Sequence, residues 1–240
     1  MKFKIEIDTL QVVGKSWPKG TNSRLCSPSS DVNYTLRYIA TYPINFQKQG
    51  MTMMTKTALL IIDMQIFFTS MTTECLPNIL TLSAFFSDHS MPQIFTQHGH
   101  SKWELEHPKR NQLVRKWGPE GSIAYGSKDW ELMPQIVRAW GEAGKPAIVE
   151  KNTYDAFLNT GLEDRLREMG VERVVVCGVM TDCCCDTTGR AAFNRGFETW
   201  LVSDACGSAN RTQHDRGLKV FGFAFGEVLP LGEVLQRLGG

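Results

Sequence analysis

From Thr57 onward, short apolar runs alternate with stretches of helical spacing, and this alternation restricts the fold more than any other feature of the chain. Ala58-Leu59-Leu60-Ile61-Ile62 contains no polar residue. A strand with one wet face alternates apolar and polar side chains. An unbroken run suits a strand buried on both faces, as in a parallel sheet covered by helices. Comparable strand signals occupy residues 93–96, 146–149, 174–177, 199–202 and 227–229. Helical spacing covers residues 79–86, 129–140, 161–169, 182–194 and 212–223, and a last helix follows Pro230. Thr160 with Glu163 reads as a capping box, and Gly170 and Gly196 read as helix terminators. The pattern predicts a Rossmann-like α/β fold of three layers, α/β/α, around a mainly parallel six-stranded sheet.

The first 56 residues read differently. Phe3, Ile5 and Ile7 suit one short strand, after which Pro18-Lys19-Gly20 and Ser27-Pro28-Ser29-Ser30 are loop chemistry. Residues 1–50 carry seven Lys and Arg against three Asp and Glu, while the chain as a whole carries +1. The expected organisation is an N-terminal extension over 1–56, either dispensable or a docking arm, and one domain over 57–240. The near-neutral charge argues against a nucleic-acid partner. No apolar run reaches the ~18 residues of a membrane span. With no secretory signal in view, a cytoplasmic, reducing location is expected.

In open parallel sheets, ligands bind beyond the carboxyl ends of the strands. The first strand runs into Asp63, the second into Gln97-His98-Gly99-His100 and the third into Glu150-Lys151-Asn152. The fourth leads through Gly178-Val179-Met180-Thr181-Asp182 into Cys183-Cys184-Cys185. An acid, an amine and a thiol therefore reach one edge from three strands. With Thr181 as a helix cap, Cys184 falls in the first turn, where the helix dipole and Lys151 would favour a thiolate. The backbone N–H groups of the turn at 178–180 could face a developing oxyanion. The competing reading is that the cysteines are small buried hydrophobes.

Three ordered motifs carry a family resemblance. They are Leu60-Ile61-Ile62-Asp63-Met64-Gln65, then Glu150-Lys151-Asn152-Thr153-Tyr154-Asp155-Ala156-Phe157, then Gly178-Val179-Met180-Thr181-Asp182-Cys183-Cys184-Cys185. Together with Val202-Ser203-Asp204-Ala205-Cys206, they resemble the isochorismatase-like cysteine hydrolase superfamily over about residues 57–238. The resemblance implies a catalytic set of Asp63, Lys151 and Cys184. It also implies an oxyanion hole from the N–H groups of Met180 and Cys184, and a cis peptide between Val179 and Met180. Gln65, Phe68, His98, His100, Tyr154 and Phe157 are the expected pocket residues. Cys183 and Cys185 are expected to pack in the helix.

The implied chemistry is hydrolysis of a C–N bond in a small carboxamide or carbamoyl substrate through a thioester, with no cofactor. The alternatives are cleavage of isochorismate to pyruvate, a binding module on the same fold, and a redox sensor using the cysteines. Nicotinamidases of this superfamily hold a metal with an Asp and two His. Here His98 stands at the Asp position, His100 matches and His107 is a candidate third ligand. The expectation is a polar pocket loop and no metal. Relatives form homodimers or homotetramers, and the same is expected here.

Overall fold

β1 (Thr57–Ile62) is buried along its entire length. Leu59 and Ile61 enter one hydrophobic layer, while Ala58, Leu60 and Ile62 enter the other. This two-sided burial is the physical cause of the unbroken apolar run. The structure, a computed structural model, describes residues 55–239. The expectations for residues 1–54, including the strand at Phe3, Ile5 and Ile7, lie outside the described residues.

β1 pairs in parallel with β2 (Gln93–His98) on one side and with β4 (Arg173–Val179) on the other. β3 (Val149–Lys151) adds beyond β2, and β5 (Glu198–Gly207) and β6 (Glu227–Leu229) add beyond β4. All six strands are parallel, in the order β3-β2-β1-β4-β5-β6. The helices are α1 (Leu76–Asp88), α2 (Lys102–Glu106), α3 (Gln112–Trp117), α4 (Pro134–Glu142), α5 (Leu162–Glu168), α6 (Asp186–Asn194), α7 (Arg211–Ala224) and α8 (Leu231–Gly239). Ile79, Leu82 and Phe86 of α1, Ile136 of α4 and Val234 of α8 fill one layer. Leu162 and Leu166 of α5, Ala192 of α6 and Phe221 of α7 fill the other. The result is the expected three-layer α/β/α fold. The chain works outward from β1 to β3 and then returns to β1's other side. The switch point therefore lies between the ends of β1 and β4, where such sheets bind ligands.

Several boundaries differ from the sequence reading, each because tertiary contacts claim the backbone. The helix expected from residue 129 starts at Pro134. The carbonyls of Asp129 and Glu131 instead accept from Phe67 and Ile66, at 3.2 and 2.9 Å. The third strand begins at Val149, not at residue 146, because its neighbours' carbonyls are taken by side chains. Trp140 Nε1 donates to Pro146 O at 2.8 Å, and the Arg165 guanidinium donates to Ala147 O. The capping box at Thr160 does not form. Gly161 is the N-cap of α5, and Glu163 pairs with Arg195 at 2.9 Å. Thr181 is not a cap either: its hydroxyl donates to Gly207 O at 2.9 Å and meets His214 Nδ1 at 2.8 Å. The expected helix over 182–194 opens with a π-helical turn, Thr181–Cys185, before α6.

Gly178 has a residue-specific reason to be glycine. Its φ is +118°, and an added Cβ would lie 2.2 Å from Ile62 O. That close approach brings the end of β4 against β1, so Gly178→Ala strains the backbone and pushes the two strand ends apart. Its expected cost is on the order of 3 kcal/mol in urea unfolding. Gly170→Ala, at φ +68° with only the Lys56 side chain within 4 Å, is expected to cost about 1 kcal/mol. Equal losses at the two positions would refute the account of Gly178.

Candidate active site

Asp63 follows β1 directly and turns the chain with φ 49°, in the left-handed region that Asp tolerates better than most residues. The turn leaves its carboxylate wholly buried. Oδ2 accepts from Lys151 Nζ at 2.6 Å, and Oδ1 accepts from Thr96 Oγ1 at 2.5 Å. The Asp63 N–H donates back to the same threonine oxygen at 3.0 Å. Lys151, the last residue of β3, also donates to Thr153 O at 3.0 Å and is buried too. Burial alone would raise the Asp63 pKa. The Lys151 ammonium, His98 and the two side-chain hydrogen bonds outweigh it and hold the carboxyl below its ordinary value. Burial likewise opposes the Lys151 charge, but Asp63 and Cys184 raise its pKa above the ordinary value.

Cys184 sits in the turn after β4, behind the cis peptide between Val179 and Met180. Its thiol faces both Asp63 and Lys151. The N–H groups of Cys183 and Cys185 both donate to Met180 O at 3.1 Å, so neither is available to a ligand. The expected resting thiolate is not supported. Burial pushes the thiol pKa up, the lysine pulls it down, and the neighbouring carboxylate pushes it up again. Burial prevails over the lysine, so the free protein carries a neutral thiol beside an ionised carboxylate. This arrangement can move a proton from sulfur to Asp63 when an electrophile is bound.

A cavity of about 270 Å³ opens onto Cys184. Its walls are mostly apolar and include Phe67, Phe68, Met71, Leu113 and Ile123, with His98 and His100 as a polar corner. Of the six expected pocket residues, Phe68, His98, His100 and Tyr154 line it. Gln65 does not. Its amide clamps the end of β2, accepting from His98 N at 2.8 Å and donating to His98 O at 2.9 Å. Phe157 does not line it either; it packs in the core stacked on Phe197, with ring centroids 6.2 Å apart. Cys185 is a core residue, but Cys183 reaches the cavity instead of packing away. Sequence reasoning missed Thr96, although strand register could have found it beside the end of β1. Residues 101–128, an insertion between β2 and α4, carry no motif, so the sequence left Trp103, Trp117 and Tyr125 open between a lid, a subunit contact and the core, and did not single out Ser122. Trp117 Nε1 donates to Tyr154 Oη at 2.8 Å at the cavity wall. Trp103 instead stacks on His107, with centroids 4.9 Å apart.

The residues do not fit a metal centre. His98 Nε2 and His100 Nε2 meet each other at 3.1 Å. The candidate third ligand, His107, lies against Trp103 and bonds its carbonyl through Nδ1 at 2.8 Å. Among the described residues, no three His, Cys, Asp or Glu side chains gather to hold an ion. Burial first, and Lys151 second, push the His98 pKa down to about 3. Burial also lowers that of His100, so both imidazoles are neutral near pH 7.

A buried acid, amine and thiol at the switch point of a parallel α/β sheet define a class of hydrolase. The model of the isochorismatase domain matches residues 57–232, and the chain belongs to this family of hydrolases. It is 39% identical over 171 residues to Nicotinamidase 3 of Arabidopsis thaliana, spanning 70% of this chain and 82% of that protein. It is 28% identical over 187 residues to Enterobactin synthase component B of Escherichia coli (strain K12), spanning 75% of this chain and 62% of that protein. A cysteine hydrolase from Pseudomonas syringae pv. phaseolicola 1448A shares the fold at TM-score 0.64 and 24% identity, over 77% of this chain and 92% of that one. The nicotinamidase PncA from Bacillus subtilis shares it at TM-score 0.63 and 22% identity, over 73% and 99%.

The ion pair has a defined pH window. The lowered Asp63 contributes stability above its ordinary pKa of 3.8 and loses it as pH falls through the folded value below that. The raised Lys151 contributes below its ordinary 10.5 and loses it as pH rises through the folded value above that. Between these limits, Lys151→Met leaves a buried carboxylate without its counter-ion. Urea unfolding at neutral pH is expected to show a loss of about 3–5 kcal/mol. A neutral substitution would show that the pair is not the constraint described here.

Proposed function

We propose that the protein hydrolyses the C–N bond of a small, uncharged carboxamide through a thioester on Cys184. The observation that carries this reading is the convergence of Asp63 and Lys151 on the thiol of Cys184, which itself lines one small, mostly apolar cavity. The substrate amide lies with its carbonyl carbon over Sγ. Asp63 takes the thiol proton as sulfur attacks, and the N–H groups of Met180 and Cys184 hold the oxyanion. Transfer from a raised thiol to a lowered carboxylate is uphill before attack. Proton transfer and attack therefore proceed together, with Lys151 stabilising the negative charge on either partner. Asp63 then returns the proton to the departing nitrogen, releasing ammonia from a primary amide. Water then attacks the thioester with Asp63 again as base; the proton passes on to the departing sulfur, the carboxylic acid product is released, and the Asp63 carboxylate and Cys184 thiol are restored.

The cavity wall argues for a neutral substrate. Among the described residues lining it, none is Lys, Arg, Asp or Glu. Isochorismate carries two carboxylates, and burying them without cationic partners is costly. The likeness to a plant nicotinamidase makes nicotinamide the first amide to test. A cavity of about 270 Å³ lies at the small end of ligand sites, which suits a single ring.

The decisive assay measures ammonia from nicotinamide and related amides, and pyruvate from isochorismate. Wild type is expected to release ammonia. Cys184→Ala is expected to lose at least about a thousandfold in kcat/KM with its circular dichroism unchanged. Adding hydroxylamine to wild type should divert product to the hydroxamate, as capture of an acyl-enzyme requires. Undiminished turnover by Cys184→Ala would sink the thiol mechanism, and pyruvate release without ammonia would replace the substrate class.

A further inference from the structure

The polar corner of the cavity has an internal logic that neither the family match nor the proposed reaction supplies. Asn111 is the N-cap of α3, and its orientation is fixed from both ends. Its Oδ1 accepts from Leu113 N at 2.9 Å and Val114 N at 3.4 Å, while its Nδ2 donates to Glu104 Oε1 at 2.9 Å. Glu104 is itself pinned by Asn152 Nδ2 at 2.7 Å and by the Ser101 N–H at 2.8 Å. Asn111 Nδ2 also lies 3.4 Å from Asn152 O, so rotating the amide would break four hydrogen bonds. In this orientation Nδ2, a donor, faces His100 Nδ1 at 3.3 Å.

A neutral imidazole has one N–H and one lone pair. With a donor against Nδ1, the lone pair of His100 belongs there and its proton belongs on Nε2. That proton points at His98 Nε2, 3.1 Å away, which must then accept. The His98 proton is left on Nδ1. That atom is buried with no partner in good hydrogen-bond geometry, and the backbone group acting on this ring is that of Thr153. That group raises the pKa of the ring, as an acceptor does, and an acceptor suits a proton on Nδ1 and not a lone pair.

We propose that Asn111 locks His98 and His100 into a hydrogen-bonded pair of fixed tautomers, which closes this corner of the cavity to a metal ion. Histidines that bind metals have the opposite arrangement: the ligating nitrogen keeps its lone pair, and the other ring N–H donates to a carboxylate or carbonyl. Here the Nε2 lone pair of His100 is replaced by a proton, and that of His98 is occupied by it. The corner is a fixed dipole, and substrate beside it meets ring edges and no Lewis acid. Asn111 touches no reacting atom and is a positioning residue. The inference concerns the chain whichever amide is its substrate.

Long-range ¹H–¹⁵N correlation spectra of the full chain, labelled at histidine, report tautomers directly. Near neutral pH, His100 is expected as the Nε2–H form and His98 as the Nδ1–H form, both unchanged by one equivalent of Zn²⁺. Co²⁺ is expected to produce no visible d–d bands from the protein. Asn111→Ala removes the donor and leaves Glu104 Oε1, 4.0 Å from His100 Nδ1, as the next partner. The His100 proton should then shift toward Nδ1. In Asn111→Asp, an acceptor replaces the donor and the shift should be larger, with Co²⁺ bands appearing. His100 as Nδ1–H in wild type, Zn²⁺-dependent shifts of both rings, or tautomers indifferent to Asn111 would each overturn the proposal. The wild-type spectrum decides it should both variants fail to fold.

Discussion

The ion pair between Asp63 and Lys151 is the constraint on which the site depends. Both side chains are fully buried and 2.6 Å apart. Either charge alone in that position would be strongly unfavourable. Each is tolerable because the ends of β1 and β3 deliver the other, although β2 lies between them in the sheet. Thr96, from the end of that intervening strand, contributes the remaining hydrogen bond to the carboxylate. Register across three strands therefore has to be correct before the pair can form. A slip of one residue would turn Lys151 to the opposite face and leave Asp63 unpaired.

The electrostatics of the nucleophile follow from that pair. A cysteine beside a lysine at the start of a helical turn invites the expectation of a stored thiolate. Burial reverses it, because the charged form of an enclosed thiol loses its hydration. The resting site keeps its negative charge on carboxylate oxygen, where Lys151 and Thr96 already hold it. In the reaction we propose, negative charge moves to sulfur during attack, under the same lysine, so that a bound electrophile and not the surroundings alone activates the thiol.

The sheet was largely legible from the chain. β1 could be placed because burial on both faces leaves a run without polar residues, whereas the reason for glycine at 178, its backbone approach to Ile62, appeared only in the structure. Topology brought an acid, an amine and a cluster of cysteines to one edge, and the family resemblance singled out Asp63, Lys151 and Cys184 among them. Side chains whose role depends on distant partners were less legible. Gln65 and Phe157 lie next to motif residues, yet one clamps β2 and the other packs in the core. Trp117 and Ser122 reach the cavity from an insertion without periodicity. Thr181 has the chemistry of a cap, but a strand end and His214 claim its hydroxyl.

The amino-acid sequence by itself determined the strand and helix alternation, the parallel sheet and the arrival of an acid, an amine and a cysteine cluster at one edge. These follow from periodicity and from the rule that parallel sheets present their carboxyl ends to ligands, while the choice of Asp63, Lys151 and Cys184 came from the motifs that carry the family resemblance. Only the tertiary structure decided the protonation of the thiol, the lining of the cavity and the orientation of the two histidines. Each of those depends on burial and on hydrogen-bond partners from other elements: Lys151 across the sheet for the thiol, and Asn111 at the head of α3 for the imidazoles. No local pattern encodes a partner supplied from so far along the chain.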